Sequence, residues 1–538
     1  MDSRLFPFLT TEQIARAASH GHPRKVSAGE VLVELGDAMP PFFIVVAGAL
    51  HITPERVEPI VVTPGQFTGE VNILTGRRSL VRIRAAEDGE VIELERDALR
   101  DLIQSDSVLG EVLMRAFILR RVEMIATQAG DVVLVGSNLC ADTLRIREFL
   151  TRNGHPFKTI DIERDPDVQT TLDQFNIGID DMPVLICRGE LVLRNPTNEE
   201  IADCLGLNAS IDDTRVRDVI IVGAGPAGLA AAVYGASEGL DVLVLEGNVP
   251  GGQAGSSSRI ENYLGFPTGI SGQDLTGRAF VQAEKFGAEI MIAKAARQLT
   301  CDRRPYAIVI DGERRLPARA IIIASGAAYR RLSIINASQF EGVGVYHGAT
   351  HMEAQLCRGE EVIIVGGGNA AGQAAVFLAE NSRVHILVRG SGLADSMSRY
   401  LIRRIENHPS ITVHTHSEIE ALEGDLHLER VRWRDRTRDV VETWNVRHVF
   451  VMTGAVPATR WLDGCLAMDG KGFVRTGPDL APDDLSEWTL DRPPYLLETS
   501  LPGIFAVGDV RAGNMKRVAS AVGEGANAIA LVHRALKE

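Results

Sequence analysis

The chain has 538 residues, 45% of them hydrophobic and 24% charged, which is material for about three to five domains. Its formal net charge of −15 works against a surface that grips nucleic acid or anionic lipid, since both need basic patches. No apolar run reaches the ~18 residues of a membrane span, and MDSRLFPFLTTEQIARAASHG lacks the basic and apolar regions of a signal peptide. A cytoplasmic protein is expected.

Residues 1–128 open with short Val/Ile-rich alternating runs parted by Gly and Pro: KVSAGEVLVELGD, FFIVVAGALHI, PIVVTPGQF and LVRIRAAEDGEVIEL. Closely spaced strands of this kind predict a small antiparallel roll, closed by a helical stretch from Asp97 onward. Residues 131–208 read strand (VVLVG), helix (TLRIREFLTRNG), strand (FKTIDI), helix, strand (MPVLICRG), helix: a compact α/β module. The polar stretch Asn208–Thr214 is a linker.

Beyond it lies an internal duplication. RDVIIVGAGPAGLAAAVYGASEGLDVLVLEG at 217–247 is repeated in kind by EEVIIVGGGNAAGQAAVFLAENSRVHILVRG at 360–390. Each is an apolar strand, a Gly-rich turn, a small-residue helix and a second apolar strand, so two dinucleotide-binding βαβ units are predicted. The second is nested in the first domain, giving segments 215–328 (first domain), 329–454 (inserted domain) and 455–538 (return to the first). The six cysteines, Cys140, Cys187, Cys204, Cys301, Cys357 and Cys465, form no C-x-x-C pair. Neither a disulfide framework nor a cysteine-bound metal is expected from their spacing.

The glycines carry the chemistry. Gly223 permits a tight turn from strand to helix, Gly225 lets a pyrophosphate approach the backbone, and Gly228 lets helix pack on strand. Glu246 ends the next strand, where a carboxylate can accept ribose hydroxyls. In the second unit Gly366, Gly368 and Ala371 hold the same places, with Asn369 between them. Arg389 stands where Glu246 stood, and a cation there suits the 2′-phosphate of NADPH better than NADH.

On VGAGPAGLAAAVYGAS, PGGQAGSSSRIENYLGFPTGISGQDL, IIIASGAAYR, VGGGNAAGQAAVFLA, VFVMTGAVPATRWL and GIFAVGDV…KRVASAVGEGANA, residues 216–538 resemble bacterial thioredoxin reductases. The resemblance implies FAD, with Gly252, Gln253 and Asn262 against the flavin and Asp509 accepting from the ribityl chain. It also implies that Lys516, Arg517 and Val518 lie beside the isoalloxazine. The family's relay cysteines are missing, because GVYHGATHMEAQLCRGEEV puts Gly348 and His351 in their places and leaves Cys357 alone. Residues 131–208 resemble a glutaredoxin-like thioredoxin fold, with Pro183 in the cis-proline position and Cys140-Ala141-Asp142-Thr143 as a monothiol version of the active site. A thiol at a helix N-terminus is favoured as thiolate. Cys140 is therefore a candidate relay, and a docking-only module is the alternative. The first section resembles a cyclic-nucleotide-binding domain. In FTGEVNILTGRRSLVRIRA, Glu70 would take the ribose and Arg78 with Ser79 the cyclic phosphate. A roll kept for docking or dimerisation is the alternative. His347 and His351 are candidate proton carriers near the flavin, with His351 preferred because it holds a former cysteine place.

The expectation is a multidomain chain: an N-terminal β-roll, a central α/β thioredoxin-like module and a C-terminal flavoprotein of two Rossmann-like domains. Its predicted activity is NAD(P)H-dependent oxidoreduction through FAD, without the cysteine pair. The acceptor would be a disulfide protein, a small thiol or a ferredoxin. A ferredoxin–NADP reductase-like transferase and a cyclic-nucleotide-responsive redox sensor are the alternatives, and the assembly is expected to be a homodimer.

Overall fold

A computed structural model describes residues 3–538 except 55–57, 139, 164, 166–171, 173, 174, 176, 179, 180, 190, 395 and 396. The N-terminal section is an antiparallel roll of two sheets. One orders the strands His22–Val26, Gly89–Leu94 and Phe42–Ala47, and the other Val31–Val33, Val81–Ala85, Leu50–Pro54 and Ile60–Val62. Alternation decides the facing of Val81–Ala85: Ile83 and Ala85 are buried while Arg82 and Arg84 point to solvent. Phe42, Phe67 and Phe117 meet in the core at ring centroid distances of 5.8–6.2 Å, which pins the helix Ser107–Ala126 against the roll.

In the central module the strands run Leu191–Arg194, Val184–Cys187, Val132–Gly136, Lys158–Asp161, with only the last pair parallel. The edge strand Leu191–Arg194 was not expected. The helix expected between Asp161 and Met182 falls mostly on residues outside those described. The peptide bond from Met182 to Pro183 is cis. The module is no tethered bead, because Val132, Leu134, Ile146 and Phe149 share one continuous core with Val219, Ile221 and Phe505 of the next domain.

The first dinucleotide domain orders Glu289–Ile292, Val242–Glu246, Arg217–Val222 and Arg315–Ile323, and Ile504–Ala506 returns to pair in parallel with Arg315–Ile323. The inserted domain is all parallel: Val345–Tyr346, His448–Val451, Glu361–Val365, Arg383–Leu387, Ile411–His414. The two crossings between the domains pair as a short antiparallel ribbon, Ala327–Tyr329 with Ala455–Pro457. No helix among the described residues is long and apolar enough to cross a membrane.

Cysteine spacing misled in one respect. Cys301 and Cys465, 164 residues apart, form a disulfide within the first domain. Spacing arguments see only local motifs, whereas here tertiary packing brings distant cysteines together.

Candidate functional site

At both ends of the turn Gly223–Gly228 only glycine fits. Gly223 has φ +108°, and a Cβ there would lie 2.4 Å from the carbonyl oxygen of Ala324. A Cβ on Gly228 would lie 1.9 Å from the carbonyl of Gly223. Gly225 caps the helix Pro226–Ser237, leaving its first N–H groups facing a cavity of about 310 Å³. Of the predicted cofactor residues, Gly223, Gly225, Glu246, Gly252, Gln253, Asp509, Lys516, Arg517 and Val518 all line this one cavity. Gly228 packs beneath it. Asn262 departs from expectation: it is exposed on the Glu261–Gly265 turn and lies outside the cavity.

Glu246 accepts the backbone N–H of Ala224 at 2.8 Å and of Asn248 at 2.9 Å, tying the strand end to the glycine turn. Burial pushes its carboxyl up, and those two donors pull it back. Asp509 is likewise pushed up by burial and drawn down by Lys516, whose Nζ donates to the Asp509 carbonyl at 3.0 Å. The Gly508–Val510 turn is held from behind, since Gly508 N–H donates to Glu524 at 2.7 Å.

The second unit repeats the design. Gly366 has φ +139° with its Cβ position 2.4 Å from the Met452 carbonyl, Gly368 caps the helix Asn369–Leu378, and Ala371 is fully buried. Asn369 accepts the Ser398 N–H at 2.7 Å, so it shapes the rim of its own turn. Arg389 is exposed just past the strand Arg383–Leu387. The two units meet: Ala370, in the first turn of the second helix, lines the first cavity.

The former cysteine places differ from each other. A Cβ on Gly348 would sit 3.5 Å from Ser256 Cβ, and Ala349 bridges Ser257, which lines the cavity. His351 is exposed at the start of the helix His351–Leu356, edge-on to Phe377 at 5.0 Å. It does not line the cavity. His347 does reach its wall, stacking on Tyr329 at 5.9 Å with Nε2 3.6 Å from Glu341 and Nδ1 buried without a partner. Tyr329 lines the cavity, and burial raises its hydroxyl pKa.

Cys140 caps the helix Ala141–Arg152, but it does not line the cavity at the Gly223–Gly228 turn. Its neighbour Ala141 abuts the inserted domain, 2.9 Å from the Cβ position of Gly342. Thr143 is fully buried, and both it and Pro183 crowd the Cβ position of Gly136. The other end of the same helix reaches the cavity-lining loop Pro250–Gln253, where Arg152 donates to the carbonyls of Pro250 at 3.0 Å and Gly252 at 2.7 Å. Arg152 lies in no motif, and Tyr329, although within IIIASGAAYR, was not singled out from the sequence.

In the roll, Glu70 and Ser79 line a separate cavity and Arg78 does not. Arg78 packs on the central module, its Nε 2.6 Å from the Cβ position of Gly206. Arg77 is buried against the flavin domain, 3.6 Å from Glu284.

Residues 217–525 match the family model of pyridine nucleotide-disulphide oxidoreductases, residues 23–106 that of the cyclic nucleotide-binding domain, and residues 132–192 that of glutaredoxin. The thioredoxin reductase of Bacillus subtilis is 30% identical over 329 residues, 61% of this chain and 97% of that protein. NADPH-dependent thioredoxin reductase 3 of Arabidopsis thaliana is 31% identical over 357 residues, 63% of each chain. The crystal structure of Lactococcus lactis thioredoxin reductase superposes with a TM-score of 0.53 at 27% identity, covering 60% of this chain and 99% of that one. By these matches, on a shared arrangement of two nested glycine-turn domains, the chain belongs to the pyridine nucleotide-disulphide oxidoreductase family and is an NAD(P)H-dependent flavoprotein oxidoreductase of the thioredoxin reductase type.

Proposed function

We propose that NADPH is the donor, that FAD occupies the cavity built on Gly223–Gly228, and that electrons leave for the acceptor without an internal cysteine pair. The donor set fits FAD: a glycine cradle that any Cβ would fill, open N–H groups at a helix start, and a strand-end carboxylate with lone pairs left for ribose hydroxyls. Bound FAD would take two electrons from the nicotinamide and pass them on. The protein's own part is positioning. Gln253 is fixed by donating to the Ala327 carbonyl at 2.7 Å, and Lys516 is held over Asp509. His347 is the residue we assign to proton handling, since its unpartnered Nδ1 stands behind Tyr329. Arg389 is assigned to the 2′-phosphate, in keeping with the name of the Arabidopsis relative.

The observation that carries this reading is Ala370 in the wall of the flavin cavity, because it sets the start of the nicotinamide helix beside the flavin site. The central module is read as a docking element. Its thiol lies away from the cavity and its helix is fastened to both dinucleotide domains. The acceptor is then a disulfide protein, a small disulfide or a ferredoxin met by the flavin itself, in a cytoplasmic homodimer. Stopped-flow mixing of the NADPH-reduced protein with oxidised thioredoxin, ferredoxin and oxygen tests this. Fast reoxidation by thioredoxin that Cys140→Ser abolishes would replace it with a relay through the module. One observation favours a regulatory role for the roll: Arg77–Glu284 is a buried contact between the roll and the helix Gly272–Lys285 of the flavin domain.

A further inference from the structure

The cavity inside the roll encloses about 100 Å³ and opens at its mouth. Protein interiors seldom keep a void larger than a few waters, so a space of this size is a site. Its walls are Phe6, Ile52, Ile73, Leu80, Val81 and Ile83. A cyclic phosphate buried here would need a guanidinium and free hydrogen-bond donors. The donors that line the cavity are committed elsewhere, and the side-chain groups left over in its lining are the carboxylates of Glu70 and Glu123.

Arg77 is only 7% exposed and turned outward, with its guanidinium 5.1 Å from the Phe280 ring of the flavin domain. Arg78 is turned onto Gly206. The Ser79 hydroxyl donates to the Val81 carbonyl at 2.8 Å, and the Glu70 carboxylate faces Arg121 at 3.3 Å. Arg120 is the one cation that lines the cavity among the described residues. It donates to the carbonyls of Leu5, Phe67, Thr68 and Gly69 at 2.7–3.0 Å, so four of its five N–H bonds are used as a rivet that closes the N-terminal segment over the roll. It also lies 4.3 Å from the Phe6 ring and 4.7 Å from the Phe67 ring. Against this cation stand two lining carboxylates, Glu70 and Glu123, so the lining repels a phosphate.

We infer that this cavity binds an uncharged, largely apolar organic molecule, of the acyl-chain or aromatic kind, and not a cyclic nucleotide. Burial of apolar surface supplies the affinity, and a lining whose one guanidinium is spent on backbone carbonyls and whose remaining charges are carboxylates offers an anion little in return for its lost hydration. Occupancy can be felt outside the roll. Glu70 and Asn72 both line the cavity, both contact Arg121, and the buried Arg77–Glu284 contact lies alongside.

The test uses the full-length, FAD-loaded protein and the neutral fluorophore N-phenyl-1-naphthylamine. Saturable, blue-shifted emission is expected, displaced by a medium-chain alcohol and unaffected by an excess of cyclic AMP or cyclic GMP. Ile52→Trp, which fills the cavity, should weaken the probe by about tenfold or more while NADPH still bleaches the flavin. Arg78→Ala should leave probe binding as it was. Ile73→Phe gives the same reading from another wall should Ile52→Trp fail to fold. Absence of saturable probe binding, displacement by either cyclic nucleotide, or probe binding unchanged in both filling variants would overturn the inference. Flavin bleaching reports the enzyme separately, so the two readings fail independently.

Discussion

Arg152 belongs to the central module, yet its guanidinium closes on the flavin loop, and Arg152→Ala should therefore cost the enzyme its cofactor. The side chain is 13% exposed and donates to the Pro250 carbonyl at 3.0 Å and the Gly252 carbonyl at 2.7 Å. A hydrogen bond with a charged partner contributes about 1.5–3 kcal/mol. Water can reach part of this site, so the lower figure applies to each bond and the loss totals about 3 kcal/mol. At 1.4 kcal/mol per decade that is about a hundredfold weaker FAD binding if the loop orders only with its cofactor. Arg152→Lys, with one ammonium for two carbonyls, should recover about half of the loss in free energy. The assay is titration of deflavinated protein with FAD, followed by flavin fluorescence. Parental affinity in Arg152→Ala would show that the loop Pro250–Gln253 holds itself and that the module does not brace the cofactor.

Arg389→Ala should weaken NADPH by about ten- to a hundredfold and NADH little, because one charge-assisted contact to the 2′-phosphate is lost. Equal effects on both coenzymes would remove Arg389 from that role. Burial pushes the Glu284 carboxyl up to about 7, despite the opposing pull of Arg77. The folded state then holds a proton that the unfolded chain releases above pH about 4.5, so this group's contribution to stability is present below that pH and is lost as pH rises to about 7. The loss is at most about 3 kcal/mol and should appear as a falling urea midpoint across that window, flattened in Glu284→Gln. The same slope in parent and variant would exclude Glu284 as its source. Cys140→Ser should leave NADPH-dependent reduction of every acceptor unchanged. A mixed disulfide trapped at Cys140 during turnover would reverse that assignment.

The features legible in the sequence are those enforced locally. Gly223, Gly228 and Gly366 are dictated by a turn and a helix packed within a few residues of each other, and with Gly225 and Gly368 at the helix caps their spacing located two nucleotide domains. Strand alternation gave the roll for the same reason. The short edge strand Leu191–Arg194 was missed because four residues between Gly189 and Pro196 carry little periodicity. What depends on contact between domains was illegible. The outward turn of Arg77 and Arg78 is set by Glu284, Phe280 and Gly206, all remote in sequence. His351 holds the former cysteine place, yet it is His347 that stacks behind the cavity wall, because the ribbon at Ala327–Tyr329 brings Tyr329 to it. Arg152 and the Cys301–Cys465 disulfide are likewise products of tertiary packing.

The central claim is that the flavin works without a cysteine pair beside it, and an anaerobic NADPH titration counts the electrons directly. A flavin alone takes two electrons, so one equivalent of NADPH per FAD should bleach the spectrum completely, in the parent and in Cys140→Ser alike. A requirement for two equivalents, with the first leaving the flavin oxidised, would reveal a disulfide in exchange with it and contradict the account.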